Sequence, residues 1–297
     1  MSTAELRELR PLPQAVRDSW SLVVAHWPVW LAAQGVQFAL MVGLGVVVGG
    51  TLWIAKQVVA SLHNGAMSVL LWIGAGALAA ALLVFILATA AWAVTVTTRS
   101  FAGDAKNPLS LPDAFRRGLQ GLVAAALMQA WIALLLYGSM MPFFFPVFLL
   151  LPRLIPAWFL VVLDGRPLTV ALLESWQRTS TAWTEICGRC LLLVGSVLIV
   201  LLIFGAMPML APSTTVIVLV LQTMLQVLAP VYLLAFSYLI YRDLAPKIAA
   251  PATPDLAGIA AAVPQLLLPA LYGLAAWGAV IILGSLGAAA TVVLHRP

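Results

Sequence analysis

The chain is a series of apolar runs, each about 20 residues or longer, separated by short polar breaks. At about 1.5 Å per residue, a helix of that length crosses the roughly 30 Å hydrocarbon core of a bilayer. Inside hydrocarbon every backbone N–H and C=O needs a partner from the chain itself, and a helix supplies one. Composition closes off the soluble alternative. Apolar residues make up 63% of the 297 positions and charged residues 8%, with a mean hydropathy of +1.08. So few charges cannot cover a water-facing surface. The expected fold class is all-α, a polytopic transmembrane helical bundle.

Seven spans are expected, at residues 29–54, 68–97, 119–138, 143–163, 187–210, 215–241 and 264–292. Residues 1–11 read as a polar, poorly ordered tail. Residues 55–67, with Lys56, His63, Asn64 and Gly65, read as a loop, as do 100–110. Asp164-Gly165-Arg166-Pro167 and residues 211–214 read as turns. The organisation expected is a six-span membrane domain over 12–244, a Pro/Ala-rich linker over 245–263 and an additional C-terminal helix within 264–297. Charges at Glu5, Arg7, Glu8, Arg10, Arg17 and Asp18 precede the first apolar run, so that run is expected to be a retained helix and not a cleaved leader.

Charge placement gives an orientation. With the N-terminus inside, the inner segments hold Arg7, Arg10, Arg17, Arg99, Lys106, Arg116, Arg117, Arg166, Arg178, Arg189, Arg242 and Lys247. The outer segments hold Lys56 and Arg296, and Arg153 falls inside the fourth span. Twelve bases against two is a positive-inside bias. The expected orientation has the N-terminus cytoplasmic and the C-terminus on the outer side. The bases are scattered between apolar segments, so the net charge of +5 is a topology signal and not a nucleic-acid surface.

A short phrase recurs before three of the apolar stretches. Its copies are Leu12-Pro-Gln-Ala15-Val-Arg-Asp-Ser-Trp20, Leu111-Pro-Asp-Ala114-Phe-Arg-Arg-Gly-Leu119 and Leu168-Thr-Val-Ala171-Leu-Leu-Glu-Ser-Trp176. One fixed offset carries Leu12, Val16, Trp20 and Trp27 onto Leu168, Leu172, Trp176 and Trp183, and Asp18-Ser19 onto Glu174-Ser175. Over 12–27 the apolar side chains share one helical face and Gln14, Arg17, Asp18 and Ser21 share another. Such helices suit the headgroup layer, with Trp20, Trp27, Trp176 and Trp183 as interfacial anchors. The unit expected is one interfacial amphipathic helix plus one membrane hairpin, used three times. The second phrase is expected to run straight into the third span.

Four stretches carry a family likeness. They are Pro146-Val-Phe-Leu-Leu-Leu-Pro-Arg153, Val161-Val-Leu-Asp164-Gly165, Ala171-Leu-Leu-Glu-Ser175-Trp176 with Trp183, and Tyr241-Arg242-Asp243-Leu244. In order and spacing they resemble the bacterial glycerophosphoryl diester phosphodiesterase membrane-domain family and its uncharacterised six-helix inner-membrane relatives. The resemblance covers about residues 12–244, and a seventh span departs from it. It implies an integral role in the bacterial inner (cytoplasmic) membrane, which would make the C-terminus periplasmic. It does not carry over the phosphodiesterase activity, since no soluble stretch here is long enough to hold that domain.

Arg153 is the sharpest single candidate. An ionisable residue near mid-span is costly and is a functional-site hypothesis by default. Pro146, Pro152 and Pro156 would break its helix and free carbonyls for its donors. One reading makes Arg153 a site for an anionic headgroup or carboxylate. The other makes it a structural arginine bonded to kinked backbone. Gln34, Gln37, Gln129, Gln222 and Gln226 are intramembrane polar groups that either line a ligand path or bond between helices. Gly45 and Gly49 form a small-residue packing motif.

No acid falls inside an expected span, which argues against an intramembrane carboxylate relay. Cys187 and Cys190 share a helix face but have no second pair or nearby histidine to complete a zinc site. His26, His63 and His295 are far apart, so no metal site and no cofactor is expected. No catalytic motif is present.

These features lead to a non-enzymatic multi-pass membrane protein, an accessory or scaffold component with a lipid- or envelope-related role. The alternative is a transporter or channel for an anionic or amphipathic solute, using a broken fourth span and Arg153. An enzyme acting on headgroups would draw first on Asp164, Glu174 and Arg178. Expected partners are membrane lipids and either another membrane subunit or a second copy, with no nucleic acid.

Overall fold

The computed structural model describes residues 9–62, 65–103, 109–140, 145–180, 182–210, 215–244 and 275. The described residues are helical, with no strands among them. In chain order the helices are α1 (Leu12–Ala25), α2 (Trp27–Leu62), α3 (Gly65–Ala102), α4 (Leu111–Leu119), α5 (Leu122–Met140), α6 (Phe145–Val162), α7 (Leu168–Thr179), α8 (Trp183–Leu210) and α9 (Thr215–Leu244). A short helix followed by two longer ones therefore occurs three times. The expected linker and seventh span, 245–292, lie outside the described residues apart from Ala275.

Four helical stretches are long and apolar enough to cross a membrane: Trp27–Val58, Val84–Ala102, Trp183–Met207 and Val216–Leu244. Leu122–Ala133 and Pro152–Val162 are shorter apolar stretches. Phe38, Val46, Trp53, Leu202, Ile203, Val216 and Ile217 stand exposed along α2, α8 and α9. Apolar surface on that scale suits hydrocarbon and not water.

The chain divides into two compact units, one of residues 21–129 and one of residues 1–20 with 130–297. In the 21–129 unit, α2 and α3 pack as a hairpin and α4 packs on both. Small residues allow the close approach: Ala33, Ala93 and Ala114 are fully buried beside Val29 and Val96. A Cβ on Gly118 would stand 2.3 Å from Val96 Cγ2, so only glycine fits α4 against α3 there. Trp92 meets Phe115 edge to face at 5.1 Å. Ser110 caps α4, its hydroxyl accepting the Asp113 N–H at 3.3 Å and donating to Asp113 Oδ2 at 2.6 Å. The buried Thr95, Thr97 and Ser100 donate to carbonyls of their own helix, which satisfies them.

Several expected boundaries move. The 55–67 loop shrinks, because α2 runs on through Lys56 to Leu62 with no glycine or proline after Gly50 to stop it. α4 does not continue into α5. Gln120 is extended and Gly121 takes φ +75°, while Arg99 Nη1 donates to the Arg117 carbonyl at the end of α4. α7 ends at Thr179, so Trp183 opens α8 and is not on the helix of the third phrase. The tail is ordered by residue 9: Leu9 is buried, in one cluster with Ala15, Ile186, Phe236 and Leu244. Gly45 and Gly49 have no neighbour within 4 Å of an added Cβ, so no helix packs on that motif among the described residues.

In the second unit α6 is central, packing on α7, α8 and α9. Leu154 and residues 156–162 are all buried, and a helix apolar on every side belongs in a core. α6 continues through Pro152 and Pro156, so the expected break in the fourth span is absent.

Candidate functional site

The candidate site lies in the second unit, where the end of α6, all of α7, the start of α8 and the end of α9 meet. α7 begins after a sharp turn. Gly165 takes φ +65°, a left-handed conformation that costs glycine little, and the Arg166 N–H reaches back to the Leu160 carbonyl at 3.0 Å. α7 then buries Ala171, Leu172, Glu174, Ser175, Arg178 and Thr179 on one face.

Arg153 lies across α7. Its guanidinium carbon is 3.6 Å from the Trp176 ring centroid and 6.0 Å from that of Trp183. Its backbone carbonyl accepts the Ser175 hydroxyl. The carbonyl that Pro156 leaves without a helix donor is that of Pro152, one residue earlier, so the Ser175 hydroxyl bonds beside the disturbed turn. The electron-rich indole face attracts the cation, and the stacked arginine in turn covers the ring. Two sets that the sequence kept apart, the Arg153 ligand candidate and the Trp176/Trp183 anchors, are therefore one constellation.

The other two anchors differ. Trp20 and Trp27 are about half exposed, at 52% and 55%. Trp20 meets Tyr232 with centroids 6.4 Å apart. Of the glutamines, Gln34, Gln37, Gln129 and Gln222 are half-buried and Gln226 is exposed. Gln129 Oε1 is buried without a hydrogen-bond partner among the described residues. Gln222 and Gln226 share a unit with Arg153 but do not hydrogen-bond to it among the described residues, and Gln34, Gln37 and Gln129 belong to the other unit.

Charged groups pair closely around α7. Arg178 Nη2 donates to Glu174 Oε1, one turn earlier. Arg166 Nε stands 3.8 Å from Glu174 Oε2. Arg189 donates to Glu185 in the same i, i+4 manner on α8. Asp164 Oδ2 accepts the Tyr241 hydroxyl at 2.9 Å, and Tyr241 stacks on Phe159 at 5.2 Å. Of the three enzyme suspects, Glu174 and Arg178 come together while Asp164 is engaged by α9.

Arg10, which sequence reasoning passed over, closes the first copy. It donates from Nε to Asp243 Oδ2 at 2.9 Å and from Nη2 to Asp243 Oδ1 at 2.5 Å, and from Nη1 to Asp18 Oδ2 at 2.8 Å. The Asp243 hydrogen bond is the main cause that raises the Arg10 pKa above the usual arginine value, against the opposing effect of burial. The signal was present: the offset relating Leu12 to Leu168 also carries Arg10-Pro11 onto Arg166-Pro167. Arg10 reaches Asp18 as Arg166 faces Glu174.

In the 21–129 unit, His26 is fully buried at the joint between α1 and α2, edge-on to Phe101 at 5.9 Å. Burial lowers its pKa below the usual histidine value. His63 and His295 lie outside the described residues. Cys190 is buried against Ile186 and Phe236 in the apolar cluster, and Cys187 is half-buried. Among the described residues no three metal-ligating side chains converge.

The fold and site define an all-helical protein with several helices suited to membrane insertion and a charge-paired, aromatic-lined junction at one end of its core helix. No protein-family model, curated protein or solved structure matches the chain. The family likeness noted above rests on its four motif stretches.

Proposed function

We propose that the chain is a non-enzymatic, multi-pass protein of the bacterial inner membrane, an accessory or scaffold component that works with lipids or the envelope. The engagement of Arg153 carries this reading. An arginine kept for a passing solute would hold its guanidinium open to a cavity. Here the guanidinium lies on Trp176 and the backbone carbonyl takes Ser175, so the residue fastens α6 to α7. The exposed Trp20 and Trp27 support an interfacial place for the first short helix. The inner excess of bases supports a cytoplasmic N-terminus. In this reading each short helix and its following pair make one unit, and residues 264–292 add a seventh span.

Gentle extraction of the full chain with its own lipids, followed by native mass spectrometry, tests the proposal. A defined membrane subunit or a second copy at fixed stoichiometry is expected. A chain that emerges alone, and that in reconstituted vesicles carries a solute flux abolished by Arg153→Ala with the fold intact, would replace the scaffold with a transporter.

A further inference from the structure

The first and third short helices carry the same arginine–acid arrangement, and comparing them isolates two unused arginine donors in the third. In the first, one arginine meets two acids: Arg10 places Nε and Nη2 on Asp243 and Nη1 on Asp18. In the third, two arginines meet one acid. Glu174 takes Arg178 Nη2 on one oxygen and faces Arg166 Nε on the other. Asp164 accepts the Tyr241 hydroxyl, a neutral donor that leaves the carboxylate charged. Arg178 is only 9% exposed, and its Nε and Nη1 atoms are buried with no hydrogen-bond partner among the described residues. Buried charged donors without acceptors are costly, and an anion at that point removes the cost.

We infer that Arg178 and Arg166 bind a phosphate group, with Glu174 holding the Arg178 guanidinium in position. The unused Nε and Nη1 donors lie on either side of the Nη2 that Glu174 holds. A guanidinium presents these donors in one plane, as a fork that pairs with phosphate oxygens. Arg166 is loosely held at 3.8 Å and its side chain is 41% exposed, so it can turn towards an arriving phosphate and admit it. The phosphate comes from a phospholipid headgroup or from a soluble ion. The lipid source rests on the membrane reading above, and the soluble source does not.

The test uses the full chain in phosphate-free detergent. Inorganic phosphate, dihexanoyl phosphatidylglycerol and the phosphate-free dihexanoylglycerol are titrated separately and binding is measured by calorimetry. One-to-one binding of a phosphate-bearing probe is expected, weakened about tenfold or more by Arg178→Gln. Arg166→Gln weakens it severalfold, and Arg10→Gln leaves it unchanged. Binding of inorganic phosphate assigns the soluble source; binding of the phosphatidylglycerol alone assigns the headgroup. Absence of saturable binding by either overturns the inference, as does binding that ignores both Arg178→Gln and Arg166→Gln. If Arg178→Gln does not fold, Arg166→Gln decides alone, because its exposed side chain can be replaced without disturbing the core. A co-purifying subunit neither produces nor prevents these outcomes, so this test and that of the scaffold reading fail independently.

Discussion

Replacing Arg153 by methionine keeps an apolar stem and removes the guanidinium from its place 3.6 Å above Trp176. The Ser175 hydrogen bond uses the backbone carbonyl and survives the change, so the ring contact is the main interaction lost. A cation over a tryptophan face contributes about 0.5–1 kcal/mol when exposed and about 2 kcal/mol when desolvated. Arg153 is half-buried, which sets the expected Arg153–Trp176 coupling at about 1–2 kcal/mol. Trp183, at 6.0 Å, sits at the limit of the interaction and should couple by about 0.5 kcal/mol or less. A double-mutant cycle over Arg153→Met and Trp176→Leu, read by reversible unfolding in mixed micelles, isolates the pair. Arg153→Lys should recover only part of the loss, because an ammonium lacks the plane that stacks. A coupling near zero for Trp176, or one equally large for Trp183, would refute the reasoning.

Gly118→Ala should destabilise the protein by about 1–3 kcal/mol, since the new Cβ would meet Val96 Cγ2 at 2.3 Å and Trp92 Nε1 at 3.2 Å. Gly35→Ala, with nothing within 4 Å, should leave the melting temperature unchanged or slightly raised. Burial lowers the His26 pKa in the folded protein, so on acidification the unfolded chain takes up the proton first. Stability should therefore fall as pH drops through about 6.5 and go on falling until the folded pKa is reached. His26→Phe should flatten that part of a melting-temperature profile between about pH 8 and about pH 5. An unchanged slope in the variant would assign the effect to other groups.

The positions of the three short helices were legible because local chemistry fixes them. Leu111-Pro-Asp behind Ser110 is a helix start that needs no tertiary help, and α4 begins there. Boundaries failed where a polar residue was read as a stop. Lys56 does not end α2, because a lysine costs a helix little. Pro152 and Pro156 do not break α6, because α7, α8 and α9 surround it and Ser175 supplies a donor beside the disturbed turn. The site was half legible. Arg153, Trp176 and Trp183 each stood out, but an arginine on one helix and two tryptophans beyond a turn show no shared periodicity. Only the packing of α6 on α7 joins them. Arg10 and Arg166 were readable from the same offset as the tryptophans. They stand two residues before the first apolar position of each copy, outside the apolar pattern that marks the repeat.

In the arrangement we propose, the three short helices lie on the cytoplasmic face, each opening a pair of membrane helices. With Cys187 and Cys190 replaced by serine, single cysteines at the exposed positions Arg17, Arg116 and Gln177 can be labelled in right-side-out and inverted vesicles. All three should react with an impermeant maleimide only in inverted vesicles. A position that reacts from the outer face would contradict the three-unit arrangement and the orientation drawn from the charges.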